Sequence, residues 1–98
     1  MILEQAILDV IPEKQQEFEA AFKQAQTIIS SMQGYMWHQL QRSIEKDNRY
    51  LLLVQWQTIE DHTVGFRQSP EYQQWKALLH HFYDPFPSVE HFHNIQLT

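Results

Sequence analysis

Residues 69–94, SPEYQQWKALLHHFYDPFPSVEHFHN, hold four of the chain's six histidines and six of its thirteen aromatic residues. Imidazole titrates near neutral pH, so such a cluster can act as a general base, a metal ligand or a partner for an anion. His91 and His93 stand two apart in a strand-like stretch and share a face, a spacing that lets both reach one ion. Neither an HExxH motif nor a third ligand accompanies them, so they are expected to line a cavity or a subunit interface with no metal. His80 and His81 are neighbours on a helix and point about 100° apart, which keeps them from sharing an ion. His81 falls beside Ala77 and Leu78 on the inward side, whereas His80 joins Gln73 and Lys76 on the polar side. Glu4 lies among Ile2, Ala6, Leu8 and Val10 on one face of a strand. A carboxylate there needs a partner or a raised pKa, and His38 or His91 across the sheet is the expected partner.

Hydrophobic periodicity supplies the frame that must position these groups. MILEQAILDV alternates as a strand of about nine residues, with Leu3, Gln5, Ile7 and Asp9 on the face opposite Glu4. Both faces carry apolar side chains, and both are expected to be covered. Pro12 opens a helix, with Glu13 and Glu17 near its positive end, and Phe18, Ala21, Phe22, Ala25 and Ile28 or Ile29 make its buried face, which Gly34 closes. YMWHQLQRSI is a second strand that sets Tyr35, Trp37, Gln39 and Gln41 opposite Met36, His38, Leu40 and Arg42. The polar EKDNR turn joins it to a third strand, YLLLVQWQ. Thr58 and Asp61 form a capping box ahead of a short helix in which Ile59, His62, Thr63 and Phe66 share a face. Ser69 and Pro70 take the N-cap and first position of another helix, with Tyr72, Trp75, Leu78, Leu79 and Phe82 toward the core. DPFP cannot continue a helix and leads to SVEHFHNIQL, a fourth strand in which Val89, His91, His93 and Ile95 alternate with Glu90, Phe92 and Asn94.

The order β-α-β-β-α-α-β, in a single domain over residues 1–98, is met by an α+β, ferredoxin-like split βαββαβ fold. This is a four-stranded antiparallel sheet with helices on one face. The other face, with Leu3, Ile7, Leu51 and Leu53, is left bare, and a homodimer packed sheet on sheet is expected to cover it. Hydrophobic residues at 43%, with two glycines and four prolines, describe a packed chain and exclude disorder. Seven scattered basic residues against twelve acidic ones give a net charge of −5, which repels phosphate backbones and excludes nucleic acid as a partner. No apolar run approaches the ~20 residues of a membrane span, so no membrane partner is expected. The first residues do not run from a basic stretch into an apolar one, and a cytoplasmic location is expected. With no cysteine, chemistry falls to His, carboxylates, Tyr, Trp or a bound cofactor.

The stretches ILEQAILDVIPEKQQEFEAAF, RYLLLVQWQTIEDHTVGFRQSPEYQQW and LLHHFYDPFPSVEHF resemble the antibiotic biosynthesis monooxygenase (ABM) superfamily across nearly the whole chain. That resemblance implies a dimeric α/β barrel with a cavity between sheet and helices in each subunit. The superfamily spans cofactor-free quinone oxygenases, haem-degrading enzymes and small-molecule isomerases, and fold does not choose among them. Its haem-degrading branch uses an Asn on the first strand, a Trp on the short helix and a His on the next. Glu4 or Gln5, Phe66 and Trp75 or Lys76 stand in those places, so iron would fall to His80 or His81. The cofactor-free quinone monooxygenases use Asn, Trp and Tyr at spacings of four and six, which His62, Phe66 and Tyr72 reproduce. The implied activity is cofactor-independent monooxygenation of a small electron-rich aromatic or quinol, with no cofactor and with molecular oxygen as co-substrate. Such a substrate must itself reduce dioxygen, which takes a phenolate or enolate. His62 is then the candidate base and Tyr72 the donor to the developing oxyanion. Trp56, Phe66 and Phe82 form an aromatic wall, and Glu4, His81 and His91 are further candidate contacts. Two alternatives use the same cavity: a non-oxidative isomerase or small-molecule-binding protein, and haem binding or degradation.

Overall fold

Burial alternates along the chain's first strand, β1 (Ile2–Asp9), where Glu4, Ala6 and Leu8 are enclosed, and continues to Val10 beyond its end. The computed structural model describes residues 1–98 and carries the same alternation into β3 (Arg49–Trp56), where Tyr50, Leu52, Val54 and Trp56 are buried. With β2 (Tyr35–Arg42) and β4 (Val89–Phe92) these strands make one antiparallel sheet of order β2-β3-β1-β4, the expected ferredoxin-like α+β arrangement. Helices α1 (Gln15–Ile29) and α2 (Pro70–Leu79) cover one face. Between sheet and helices lies a core rich in rings. Phe18 packs on Tyr50 at 4.8 Å between centroids, Phe22 on Trp75 at 5.7 Å and Phe66 on Trp75 at 5.6 Å.

Local structure departs from expectation at four places. α1 starts at Gln15 and not at Pro12, because Ile11 is pinned by its N–H to the Phe82 carbonyl (2.8 Å) and its own carbonyl accepts from Lys14 (3.1 Å). That turn puts Glu13 at φ 74°, outside any helix. In β2 a bulge between Tyr35 and Trp37 turns Tyr35 onto the helix-covered face beside His38, where the sequence alternation had opposed them. The short helix, Asp61–Phe66, is a π-helical turn, with the Arg67 N–H reaching the His62 carbonyl at 3.1 Å. β4 stops at Phe92, not Leu97, because Phe92 already pairs with Leu3 and only Ile2 of β1 lies beyond that pair. His93 therefore lies beyond the sheet and does not share a strand face with His91.

The capping box forms as read: the Asp61 N–H donates to Thr58 Oγ1, and the Thr58 N–H to Asp61 Oδ2, both at 3.2 Å. Ser69 caps α2 by accepting from the Tyr72 N–H at 3.2 Å. No helix is long and apolar enough to cross a membrane. On the uncovered face of the sheet, Leu3, Leu51 and Leu53 are half-buried, and Ile7, Trp37 and Phe92 are each 41% exposed.

Candidate active site

Glu4 sits between Val54 and His91 in the sheet register, with its side chain on the helix-covered face. It is one of two buried polar residues; the other is His62, carried in from the π-helical turn. The expected partner His38 is engaged elsewhere, held by the Tyr35 hydroxyl and Gln26. Instead, Trp56, two residues further along β3 than Val54, donates its indole N–H to Glu4 Oε1 at 2.9 Å. His62 Nε2 stands 3.4 Å from the same oxygen, and its ring stacks on Trp56 at 5.5 Å with 18° between planes. His62 Nδ1 faces His91 Nε2 at 2.8 Å. Every enclosed side-chain nitrogen or oxygen has a partner. Glu4 Oε2, which neither Trp56 nor His62 occupies, is therefore open rather than sealed.

Glu4 lines a cavity of about 170 Å³ together with His62, Phe66, Arg67, Tyr72, Trp75, His80, Tyr83 and Phe86, with Ala6, Leu8, Leu52, Pro87 and Val89 completing the wall. Burial pushes the Glu4 carboxyl up to about 7, against the pull of the Trp56 hydrogen bond and Arg67. Burial, with Arg67 and His91 adding repulsion, drives His62 down to about 3, so the ring is neutral at physiological pH. His91 is lowered by burial and Arg67. Tyr83 is pushed up by burial and by Tyr72 across the cavity.

Of the residues singled out from sequence, Glu4, His62, Phe66 and Tyr72 line this cavity. Trp56 is wholly buried behind it, holding Glu4 and His62, and does not form its wall. Phe82 packs into the core against Phe18, at 5.8 Å, and is likewise not a wall residue. His91 touches the site through His62 only. The histidine pair is reversed: His81 is exposed with its ring on Phe82, and His80 turns to the cavity. The cause is the 3₁₀ turn His80–Phe82, which tightens the chain after α2 and shifts the phase by which side chains point inward. Sequence reasoning missed Arg67, Trp75, His80, Tyr83 and Phe86 as cavity residues. The one available signal was the nearby DPFP, which forces the helix to end and its last turn to change pitch.

A larger concavity of about 570 Å³ lies between α1 and β2. Most of its polar side chains are engaged, Gln26 with His38 and Glu19 with both Arg42 (3.2 Å) and the Tyr50 hydroxyl (2.5 Å), whereas Lys23 on its lining has no partner. The carboxylate and imidazole of this groove are taken up by those bonds, and the smaller cavity at Glu4 is the candidate site. No three His, Cys, Asp or Glu side chains gather as ligands for a metal ion.

The family model for antibiotic biosynthesis monooxygenases matches residues 1–78. The uncharacterized protein YczJ of Bacillus subtilis is 57% identical over 95 residues, covering 97% of this chain and all of YczJ. Among solved structures, a Bordetella bronchiseptica protein named for antibiotic biosynthesis monooxygenases is 36% identical over 97% of each chain, with a TM-score of 0.92. SnoaB, a cofactor-independent oxygenase from Streptomyces nogalater, shares the fold with a TM-score of 0.81 at 20% identity, over 98% of this chain and 94% of SnoaB.

Proposed function

Because the chain belongs to the antibiotic biosynthesis monooxygenase family, we propose that it is a cofactor-independent monooxygenase of single-ring phenols or quinols, in which Glu4 takes the substrate proton. The observation that supports this reading is the seat of Glu4, buried on an aromatic-walled cavity with one carboxyl oxygen hydrogen-bonded by Trp56 and 3.4 Å from His62, and the other oxygen unpaired. A carboxyl group that titrates at about 7 is matched to proton transfer near neutral pH. His62 was the base expected from sequence, but both its ring nitrogens face other side chains, so it acts through Glu4. Tyr72 and Tyr83 offer hydroxyls to the oxyanion, and Phe66 and Trp75 enclose the ring.

The size of the cavity narrows the substrate. An apolar cavity of about 150 Å³ takes benzene. One of about 170 Å³ suits a single ring better than a haem macrocycle, which favours the small aromatic over the haem alternative. For a 1,4-quinol the balance is complete without a further reductant. The O–H bond breaks and its proton goes to Glu4, while the electron pair stays on the ring. The ring then supplies the electrons that reduce dioxygen, one oxygen atom ending on the ring in a hydroxyquinone and the other leaving as water. A homodimer joined through the open sheet face is part of the same reading.

An oxygen electrode tests it, using metal-free protein and methylhydroquinone. Protein-dependent uptake yielding hydroxyquinone and water is expected, with kcat lowered roughly a hundredfold or more by Glu4→Gln and roughly tenfold to a hundredfold by Tyr72→Phe. Uptake that produces hydrogen peroxide and is indifferent to Glu4→Gln is autoxidation and sinks the reading. Proton exchange into a bound quinol with no oxygen uptake moves the assignment to the isomerase alternative.

A further inference from the structure

Three side chains stand in line from the cavity to the edge of the sheet. Glu4 on β1 lines the cavity, and His62 on the π-helical turn stands with Nε2 3.4 Å from Glu4 Oε1 and Nδ1 2.8 Å from Nε2 of His91 on the edge strand β4. His91 is half-buried and lies outside the cavity wall. Its second ring nitrogen, Nδ1, has no partner in the chain, and since no enclosed nitrogen is left unpaired, that atom reaches solvent. We propose that His62 and His91 form a proton relay between Glu4 and solvent. The inference rests on the reading of Glu4 as the group that meets the substrate.

The relay needs no resting charge on the buried ring. With the Glu4 carboxyl protonated on Oε1, His62 accepts at Nε2 and donates from Nδ1 to His91 Nε2, and His91 carries its proton on Nδ1. One shift then moves the Glu4 proton to His62 Nε2, the His62 Nδ1 proton to His91 Nε2, and the His91 Nδ1 proton to water. Three bonds to hydrogen break and three form, no electron changes hands, and both imidazoles end neutral in the opposite tautomer. The reverse shift returns a proton when oxygen leaves as water. Burial and the nearby Arg67 both disfavour an imidazolium at either position, which keeps the proton moving through. Arg67 also favours the Glu4 carboxylate. Tyr72, His80 and Tyr83 are the other titratable groups around the cavity.

The test follows the ring nitrogens of both histidines by NMR on the full chain labelled with ¹⁵N-histidine, across the Glu4 titration. As Glu4 loses its proton, His62 and His91 are expected to exchange tautomers together, His91 passing from Nδ1–H to Nε2–H. His62→Phe, which keeps a ring against Trp56, is expected to abolish the exchange at His91. A His91 tautomer that stays fixed in the wild type, or one that still switches in His62→Phe, overturns the relay. In turnover of methylhydroquinone, His91→Ala is expected to lower kcat roughly tenfold or more in dilute buffer, with KM unchanged and with rate restored by added imidazole. A change in KM alone with no rescue also overturns it. Linked tautomers in a protein that takes up no oxygen uphold the relay and overturn the oxygenase reading instead.

Discussion

At Glu4 the folded chain holds its proton up to about pH 7, whereas the ordinary value of the side chain is 4.5. Between those values the unfolded chain has released a proton that the folded chain keeps, so stability is lost as pH rises through this window. His62 runs the other way. It titrates at about 3 when folded against an ordinary 6.5, and its burial costs stability as pH falls through that window. The two effects oppose one another between about pH 4.5 and 6.5, and above that only the Glu4 penalty still grows. Glu4→Gln, which can still accept from Trp56, is therefore expected to gain on the wild type by about 2–3 kcal/mol between pH 5 and pH 8, read by urea unfolding at each pH. A constant difference between the two proteins would mean that Glu4 is not held protonated by burial. That Glu4 was out of place could be read from the alternation of its strand. Its partners could not, because Trp56 lies diagonally across a register that sequence does not reveal, and His62 arrives from a separate element.

Among the elements, the turns carry the strain. Glu13, at φ 74°, pays the steric cost of a Cβ in the left-handed region. Glu13→Gly is expected to stabilise the fold by roughly 1 kcal/mol, raising Tm by about 4–8 °C. Gly34 shows the reverse case. Its φ is 84°, and an added Cβ would collide with the Asp61 carboxylate that caps the π-helical turn. Gly34→Ala is expected to cost roughly 1–3 kcal/mol or more in denaturant unfolding, and to weaken turnover as well, since His62 follows Asp61 directly. Element types and the faces of β1, α1 and β3 were legible because each buries a regular stripe. The bulge in β2, the early stop of β4 and the shift that exchanges His80 for His81 were not. Each is imposed by a neighbouring element, through the pairing register, the length of the partner strand or the approach of DPFP.

For the whole molecule, one sheet serves two purposes: its covered face closes the cavity, and its open face presents Ile7, Trp37 and Phe92 among half-buried leucines. A chain of this length buries only about two thirds of its unfolded surface, which makes further burial against a second copy favourable. Sedimentation at micromolar concentration is expected to give a dimer, and Ile7→Glu a folded monomer; a monomeric wild type would overturn this assembly. The fold as a whole was the most legible level, because strand order follows from short connections and one-sided helices. The three tryptophans happen to stand at three separate events. Trp37 lies on the open face, Trp75 lines the cavity, and Trp56 donates its indole N–H in a hydrogen bond to Glu4. Indole fluorescence shifts with local polarity and is quenched by nearby proton donors. With Trp→Phe replacements leaving one indole at a time, emission from Trp37 is expected to follow association, that from Trp75 occupancy, and that from Trp56 the charge on the carboxylate beside it. The proposed assembly, binding and protonation can thus each be followed by an indole the chain already contains, with no dye attached.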